Sequence, residues 1–202
     1  MAAPPGLTKD GYEVQFGTNH VGHALLIKLL LPILLKTADM PKSDVRLILL
    51  TSFAYESAPS GGIIFKDLKT VQNNFLVAGP WRRYGQSKLA DLLYAAELAR
   101  RYPQITSLAI HPGTIKTGLA SNLNTFNKAI FYMITWRTLV NSDEGVWNQL
   151  WAVAANKKDI VSGGYYVPVG VHEALRTKEA KNDALAEELW TWTEKELEGY
   201  RS

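Results

Sequence analysis

Tyr84-Gly85-Gln86-Ser87-Lys88 sets a phenol and an ammonium four residues apart. On a helix that spacing puts both side chains on one face, one turn from each other. A free tyrosine titrates near about 10 and exchanges protons poorly at neutral pH, but a neighbouring cation favours the phenolate and lowers that value. The pair can therefore act as a proton donor and acceptor. With nine tyrosines in the chain, a chance Tyr-x-x-x-Lys on a solvated helix face is about an even bet. The surroundings make the pair informative: Asn19 and Ser52 precede it, and Pro112-Gly113-Thr114-Ile115-Lys116-Thr117 follows it. Each of these lies beside a predicted strand or helix.

The elements that must position these groups can be read from periodicity. Residues 45–50 form an apolar run broken only by Arg46, the pattern of a parallel strand covered on both faces. Ser52 falls just past its C-terminal end, the edge at which open α/β sheets bind ligands, so its hydroxyl is placed to hydrogen-bond a substrate carbonyl. The helix carrying Tyr84 and Lys88 continues through Leu89, Leu92, Leu93, Ala96 and Leu98 and ends at Arg100-Arg101-Tyr102-Pro103. Residues 105–110 are the next predicted strand, and His111-Pro112-Gly113 is its exit turn, where proline removes a donor and glycine admits a flat ring close to the backbone. Pro59-Ser60-Gly61-Gly62 and Gly79-Pro80 mark the connection from Ser52 to Tyr84 as a surface excursion with at most a short hairpin.

Upstream, Thr8 is a candidate cap for a helix running through Tyr12, Phe16, His20, His23, Ile27, Leu30 and Leu34. Val14, Val21, Leu25 and Leu29 on the other side are apolar too, so this helix is expected to be buried or to lie in a subunit interface, which would make the chain a homo-oligomer. Pro32 should bend it near its end. His20 and His23 fit a packed stripe better than a metal site, because no carboxylate stands at ligand spacing. Downstream, Ser142 with Asp143 and Glu144 caps a predicted helix through Val146, Trp147, Leu150, Trp151 and Val153. Gly163-Gly164 leads into a last strand at 165–169, and 183–200 reads as an amphipathic helix.

Composition narrows the function classes. A chain of 202 residues with 47% apolar residues can bury a full core, and one domain over 1–202 is the expectation. The net charge of +3 is scattered rather than run together, which argues against a nucleic-acid partner. There is no cysteine, so disulfides, thiolate zinc sites and a cysteine nucleophile are excluded; a reducing, intracellular and cytoplasmic setting is expected. The first residues lack the basic and apolar segments of a secretory signal. The apolar run 24–35 carries Lys28 and Pro32 and falls short of the roughly 20 residues that span a bilayer, so no transmembrane helix is expected.

Together, Asn19-His20-Val21-Gly22-His23, the strand ending Leu49-Leu50-Thr51-Ser52, the Tyr84 to Lys88 motif and His111-Pro112-Gly113-Thr114-Ile115-Lys116-Thr117 resemble the short-chain dehydrogenases/reductases. Within that family they resemble the branch containing retinol-dehydrogenase-like enzymes. The resemblance covers about residues 1–170. It implies a doubly wound parallel, Rossmann-type α/β sheet and hydride transfer with NADP or NAD between a lipophilic alcohol and its ketone or aldehyde, in lipid, retinoid, steroid or secondary metabolism. It assigns Tyr84 as general acid or base, Lys88 as the residue that lowers the phenol's pKa and binds the nicotinamide ribose, Ser52 as the group orienting the carbonyl, and Asn19 as holder of a water in the proton relay. It places Pro112 and Gly113 against the nicotinamide, the backbone of Ile115 at its carboxamide, and the Thr117 hydroxyl at the carboxamide or pyrophosphate. It makes 122–142 the segment that covers a bulky, largely apolar small-molecule substrate.

One part of the expected apparatus has no counterpart. Dinucleotide binding on such a sheet uses a glycine-rich turn from a first strand into a helix, with a ribose-reading residue further on. Gly61-Gly62 and Gly163-Gly164 do not open a helix after a first strand. Set against the family, the chain matches the catalytic and substrate-binding half and lacks the adenine-binding half. The rival expectation is accordingly a non-catalytic remnant serving as an interaction or dimerisation module.

Overall fold

A computed structural model of the chain describes residues 1–75, 78–115, 139–141 and 143–200. The first helix, α1, spans Val14–Ala38 and contains a π-type turn at Gly17–Val21. It starts later than the Thr8 cap predicts. Thr8 instead accepts a bond from the Tyr12 amide at 3.2 Å within a turn closed by a bridge between Leu7 and Glu13, and the Glu13 carboxylate caps the helix by accepting from the Phe16 amide at 2.8 Å. Pro32 lies inside the helix, which continues to Ala38.

Strand β1 (Arg46–Leu50) pairs in parallel with β2 (Thr106–Ile110), Leu50 opposite Ile110. Between them runs α2 (Gly79–Arg101), with proline in its first turn and Arg100 and Arg101 in its last. β2 pairs in parallel with β5 (Tyr165–Val167), and β5 returns antiparallel into β6 (Val171–His172). The sheet order is therefore β1-β2-β5-β6, and among the described residues nothing pairs with the outer edge of β1. A separate parallel pair joins β3 (Thr114–Ile115) to β4 (Leu139–Val140).

Alternate strand residues feed two cores. Leu49, Ala109 and Tyr165 join Phe16, Leu89, Leu93 and Leu189 under α1, α2 and the last helix, α4 (Asp183–Glu196). Leu108, Ile110 and Tyr166 face the other way, onto Ala152 of α3 (Trp147–Ala154) and Ile160. Helices on both faces of a mostly parallel sheet give the three-layer α/β arrangement read from the sequence. α3 begins at Trp147, after a turn at 143–146, rather than at a Ser142 cap; Ser142 lies outside the described residues.

The connection after Ser52 differs from a surface excursion. It forms 3₁₀ turns at Phe53–Ser57 and Phe65–Asp67, contains no hairpin among its described residues, and sinks Tyr55, Ile63 and Leu68 into the core. The Tyr55 hydroxyl accepts from the Arg176 amide at 3.1 Å. The last predicted strand, 165–169, is likewise shorter, because β5 stops at Val167 to turn back into β6.

Candidate active site

The in-register pairing of β1 with β2 brings the residues that follow them, Ser52 and Pro112-Gly113, to one sheet edge. α2 is tied across the end of β1 by two bonds: the Thr51 hydroxyl donates to the Lys88 carbonyl at 2.7 Å, and the Lys88 ammonium donates to the Leu50 carbonyl at 2.9 Å. Gly85 permits the close approach of the turn that begins at Ser52. A Cβ there would meet the Ala54 carbonyl at 2.6 Å and the Ala58 nitrogen at 2.8 Å, distances no side chain tolerates. With that turn seated, the Ser52 hydroxyl, which accepts from the Ala54 amide at 3.2 Å, lies close enough to the Tyr84 phenol to pull its pKa down.

The phenol's electrostatics correct one expectation. Burial pushes the Tyr84 pKa above its ordinary value and is the largest effect; the Lys88 charge and then the Ser52 hydroxyl pull it down, and Asp91 adds the smallest push upward. The Lys88 ammonium is itself held by the Asp91 carboxylate at 2.9 Å. Asp91 is buried and its pKa is raised to about 6, chiefly by that burial, with Lys88 opposing.

Asn19 lies in the π-type turn of α1 and donates to the Ser87 hydroxyl at 2.9 Å, which in turn donates to the Tyr84 carbonyl at 2.8 Å. It thus braces α2 between Tyr84 and Lys88. The two histidines separate: His23 is exposed and bonded to the Asn19 carbonyl at 2.8 Å, whereas His20 is buried against the Thr193 hydroxyl at 2.9 Å. Burial lowers the His20 pKa to about 3. Its 3.9 Å approach to Asp91 is therefore a contact of a neutral ring and not an ion pair.

On the other side of the edge, Gly113 adopts φ 87°, a backbone that favours glycine, and the buried Nδ1 of His111 has no hydrogen-bond partner. Asn148 holds this turn in place, donating to the His111 carbonyl at 2.7 Å and accepting from the Gly170 amide at 2.9 Å. The Ile115 side chain packs where a Cβ on Gly145 would fall 2.4 Å away, and its backbone lies in the β3–β4 ladder. A cavity of about 610 Å³ opens beside Pro112 and Gly113, walled by Phe53, Trp147, Tyr165 and Val167 with Glu56, Glu173 and Arg176 also reaching it. Ser52, Tyr84 and Lys88 do not line that cavity. Thr117 lies outside the described residues, as does 122–138 of the substrate-covering segment.

Ser52, Tyr84 and Lys88 thus converge, with Asn19 one residue contact away, and Pro112 and Gly113 share their edge. Sequence reasoning missed Asp91, although its position three residues beyond Lys88 and seven beyond Tyr84 on one helix was a readable signal. It also missed Gly85 and Asn148, for which nothing local points to a role.

An open parallel sheet with a Tyr–Ser pair and a lysine at its carboxyl edge defines the C-terminal part of a doubly wound, Rossmann-type fold. No family model matches the chain. It is 36% identical over 98% of its length to an uncharacterised oxidoreductase of Schizosaccharomyces pombe, covering 59% of that protein. It is 33% identical over 98% of its length to a short-chain dehydrogenase/reductase of Aspergillus calidoustus, covering 65% of it, and 31% identical over 93% of its length to human retinol dehydrogenase 14, covering 53% of it. The crystal structure of an uncharacterised protein from Mycobacterium paratuberculosis superposes with a TM-score of 0.66 at 30% identity, over 96% of this chain and 62% of that one. That of the NADPH-bound carbonyl reductase from chicken fatty liver shares the fold, with a TM-score of 0.55 at 22% identity over 86% of this chain and 60% of the other. The chain belongs to the short-chain dehydrogenase/reductase family, and spans between 53% and 65% of the length of these curated relatives.

Proposed function

We propose that this chain forms the catalytic and nicotinamide-side part of an NAD(P)-dependent oxidoreductase that interconverts a lipophilic alcohol and its ketone or aldehyde. The observation that carries the reading is the buried Tyr84 phenol, with the Ser52 hydroxyl close enough to lower its pKa and the Lys88 ammonium, one turn along the helix, held at the end of the strand that Ser52 leaves. Tyr84 gives its proton to the carbonyl oxygen in reduction and takes it from the alcohol in oxidation. Ser52 orients that oxygen, Lys88 supplies the cation beside the phenol, and Asn19 holds the helix that carries both. Pro112, Gly113, Ile115 and Thr117 are the residues to bear the nicotinamide, and the steep turn at Gly113 beside the unpartnered His111 nitrogen fits a flat ring with polar substituents. When bound, the nicotinamide supplies or accepts the hydride at the carbon that bears this oxygen.

The relatives' names support the reading, since one is a retinol dehydrogenase and a structural neighbour is a carbonyl reductase holding NADPH. The aromatic and aliphatic wall of the cavity beside Pro112 suits a bulky apolar substrate, and 122–142 is the segment to cover it. By length and composition alone α1 could cross a membrane, being 25 residues long where the apolar run read from sequence was shorter. Its buried Phe16, His20, Ala24 and Ile27 and the 3.0 Å ion pair of Lys28 with Glu194 tie it into the domain, and we assign it to the fold.

The test is Tyr84→Phe in the protein joined to a cofactor-binding half, assayed with a panel of lipophilic ketones and alcohols. Turnover should fall by roughly 10² to 10⁴, as for loss of general acid–base catalysis, with the fold unchanged. Near-normal turnover would remove Tyr84 from the chemistry and the reading with it.

A further inference from the structure

Asp91 is a buried carboxylate that the proposed chemistry does not use. It stands one turn beyond Lys88 on α2, 4% exposed, with its Oδ2 at 2.9 Å from the Lys88 nitrogen. An ammonium has three N–H donors. Two are taken here, by Asp91 and by the Leu50 carbonyl at 2.9 Å, so this pair of acceptors fixes the direction of the third. The other charged or titratable groups around the pair come from three places. His20 and His23 belong to α1, Tyr84 precedes Lys88 on α2, and the amino group of Met1 feels the Lys88 charge. His20, buried and neutral, puts no charge against Asp91, so Lys88 is the cation that answers the carboxylate directly.

We propose that Asp91 is a positioning residue acting through Lys88: it anchors the ammonium at the end of β1 and offsets part of the cationic charge that Lys88 presents to Tyr84. The inference rests on the reading of Tyr84 as the proton-transfer group. A buried pair of this kind costs desolvation that a well-packed apolar pair would not, which leaves its effect on the neighbouring phenol as its physical consequence for the site. Protonation of Asp91, or a second acceptor that takes over the ammonium, removes the compensation and hands the full cationic charge to the phenol. The Tyr84 pKa then moves down, the direction in which Lys88 pulls and Asp91 opposes.

The experiment uses the full chain labelled with ¹³Cζ-tyrosine, the Tyr84 signal being assigned by its loss in Tyr84→Phe, and follows ionisation by NMR across the alkaline range. Asp91→Asn keeps the shape of the side chain and removes its charge. At a fixed pH below the midpoint it should show at least about threefold more Tyr84 phenolate than the parent. In a Lys88→Met background the same substitution should change the phenolate fraction by less than half as much. An unchanged midpoint in Asp91→Asn, or an undiminished effect without Lys88, overturns the proposal. Should Asp91→Asn not fold, Asp91→Ser takes its place in the same alkaline titration; a Tyr84 midpoint unchanged from the parent overturns the proposal. The readout is ionisation and not turnover, so an active Tyr84→Phe enzyme would sink the proposed function without touching this result.

Discussion

β2 and β1 lie side by side in register, yet they live in different environments. All five residues of β2 are buried, between β1 and β5 and between two helix layers. β1 has a partner on one side; Leu49 is its one buried residue and Leu50 is 47% exposed. Similar apolar runs therefore carry different shares of stability. The difference also separates the two halves of the candidate site: Pro112 and Gly113 leave a fully buried strand, whereas Ser52 leaves a half-buried strand whose outer edge nothing pairs with among the described residues. What fixes Ser52 is α2, through Thr51, Lys88 and the seat at Gly85.

The sharpest way to break this comparison is to truncate facing residues. Leu108→Ala in β2 should cost about 2–5 kcal/mol, the range for a fully buried leucine. Ile48→Ala, at the paired position in half-buried β1, should cost less than half as much. Urea unfolding of both variants measures this, and equal losses would mean that β1 is covered in solution by another chain.

Gly85→Ala should be the next largest, about 1–3 kcal/mol, because the added methyl must displace the Ala54 carbonyl and Ala58 amide, and backbone gives less readily than a side-chain tip. It should also move the Ser52 hydroxyl away from Tyr84 and so raise the phenol's titration midpoint, which the same unfolding and ¹³C titrations detect.

Smaller in energy is the open edge itself. A strand edge unpaired among the described residues, together with exposed Leu26, Leu29 and Ile33 on α1 and Leu150 and Val153 on α3, invites self-association. The chain expressed alone should elute as an oligomer and take up no NAD(P)H at micromolar concentration, since among the described residues no glycine-rich turn leads from a strand into a helix to hold the pyrophosphate. Leu50→Lys, a charge at the edge, should shift elution towards the monomer on size exclusion; an unchanged profile would move the association to the helix faces.

The smallest expected effect is a pH slope. The unfolded chain protonates His20 and His111 near about 6.5, but burial lowers their folded values to about 3 and about 4. Their contribution is complete above that pH and is lost as pH falls through the window. Asp91, raised to about 6, works the other way, since the folded chain takes up its proton before the unfolded chain does. Thermal melts between pH 7 and pH 5 should show a net fall in stability that His20→Gln flattens and Asp91→Asn steepens. A slope unaffected by His20→Gln would mean the ring is not held neutral.

The two parallel strands, the helix of Tyr84 and Lys88, and the exit turn at Pro112 were legible in the amino-acid order alone, because hydrophobic period and turn chemistry are local properties. The sequence also carried the family, through residues spaced in a fixed order. It misplaced the start of α1, where Glu13 outcompetes Thr8 once the Leu7–Glu13 bridge forms, and it read as surface the connection that buries Tyr55 and Leu68. That burial raises the Tyr84 pKa and that Asp91 answers Lys88 emerges from the packing of the whole fold. The physical reason is that burial comes from residues far apart in sequence: Phe16 and His20 on α1, Thr193 on α4 and the Ser52 turn close over α2 together, and the cost of a charge depends on what encloses it.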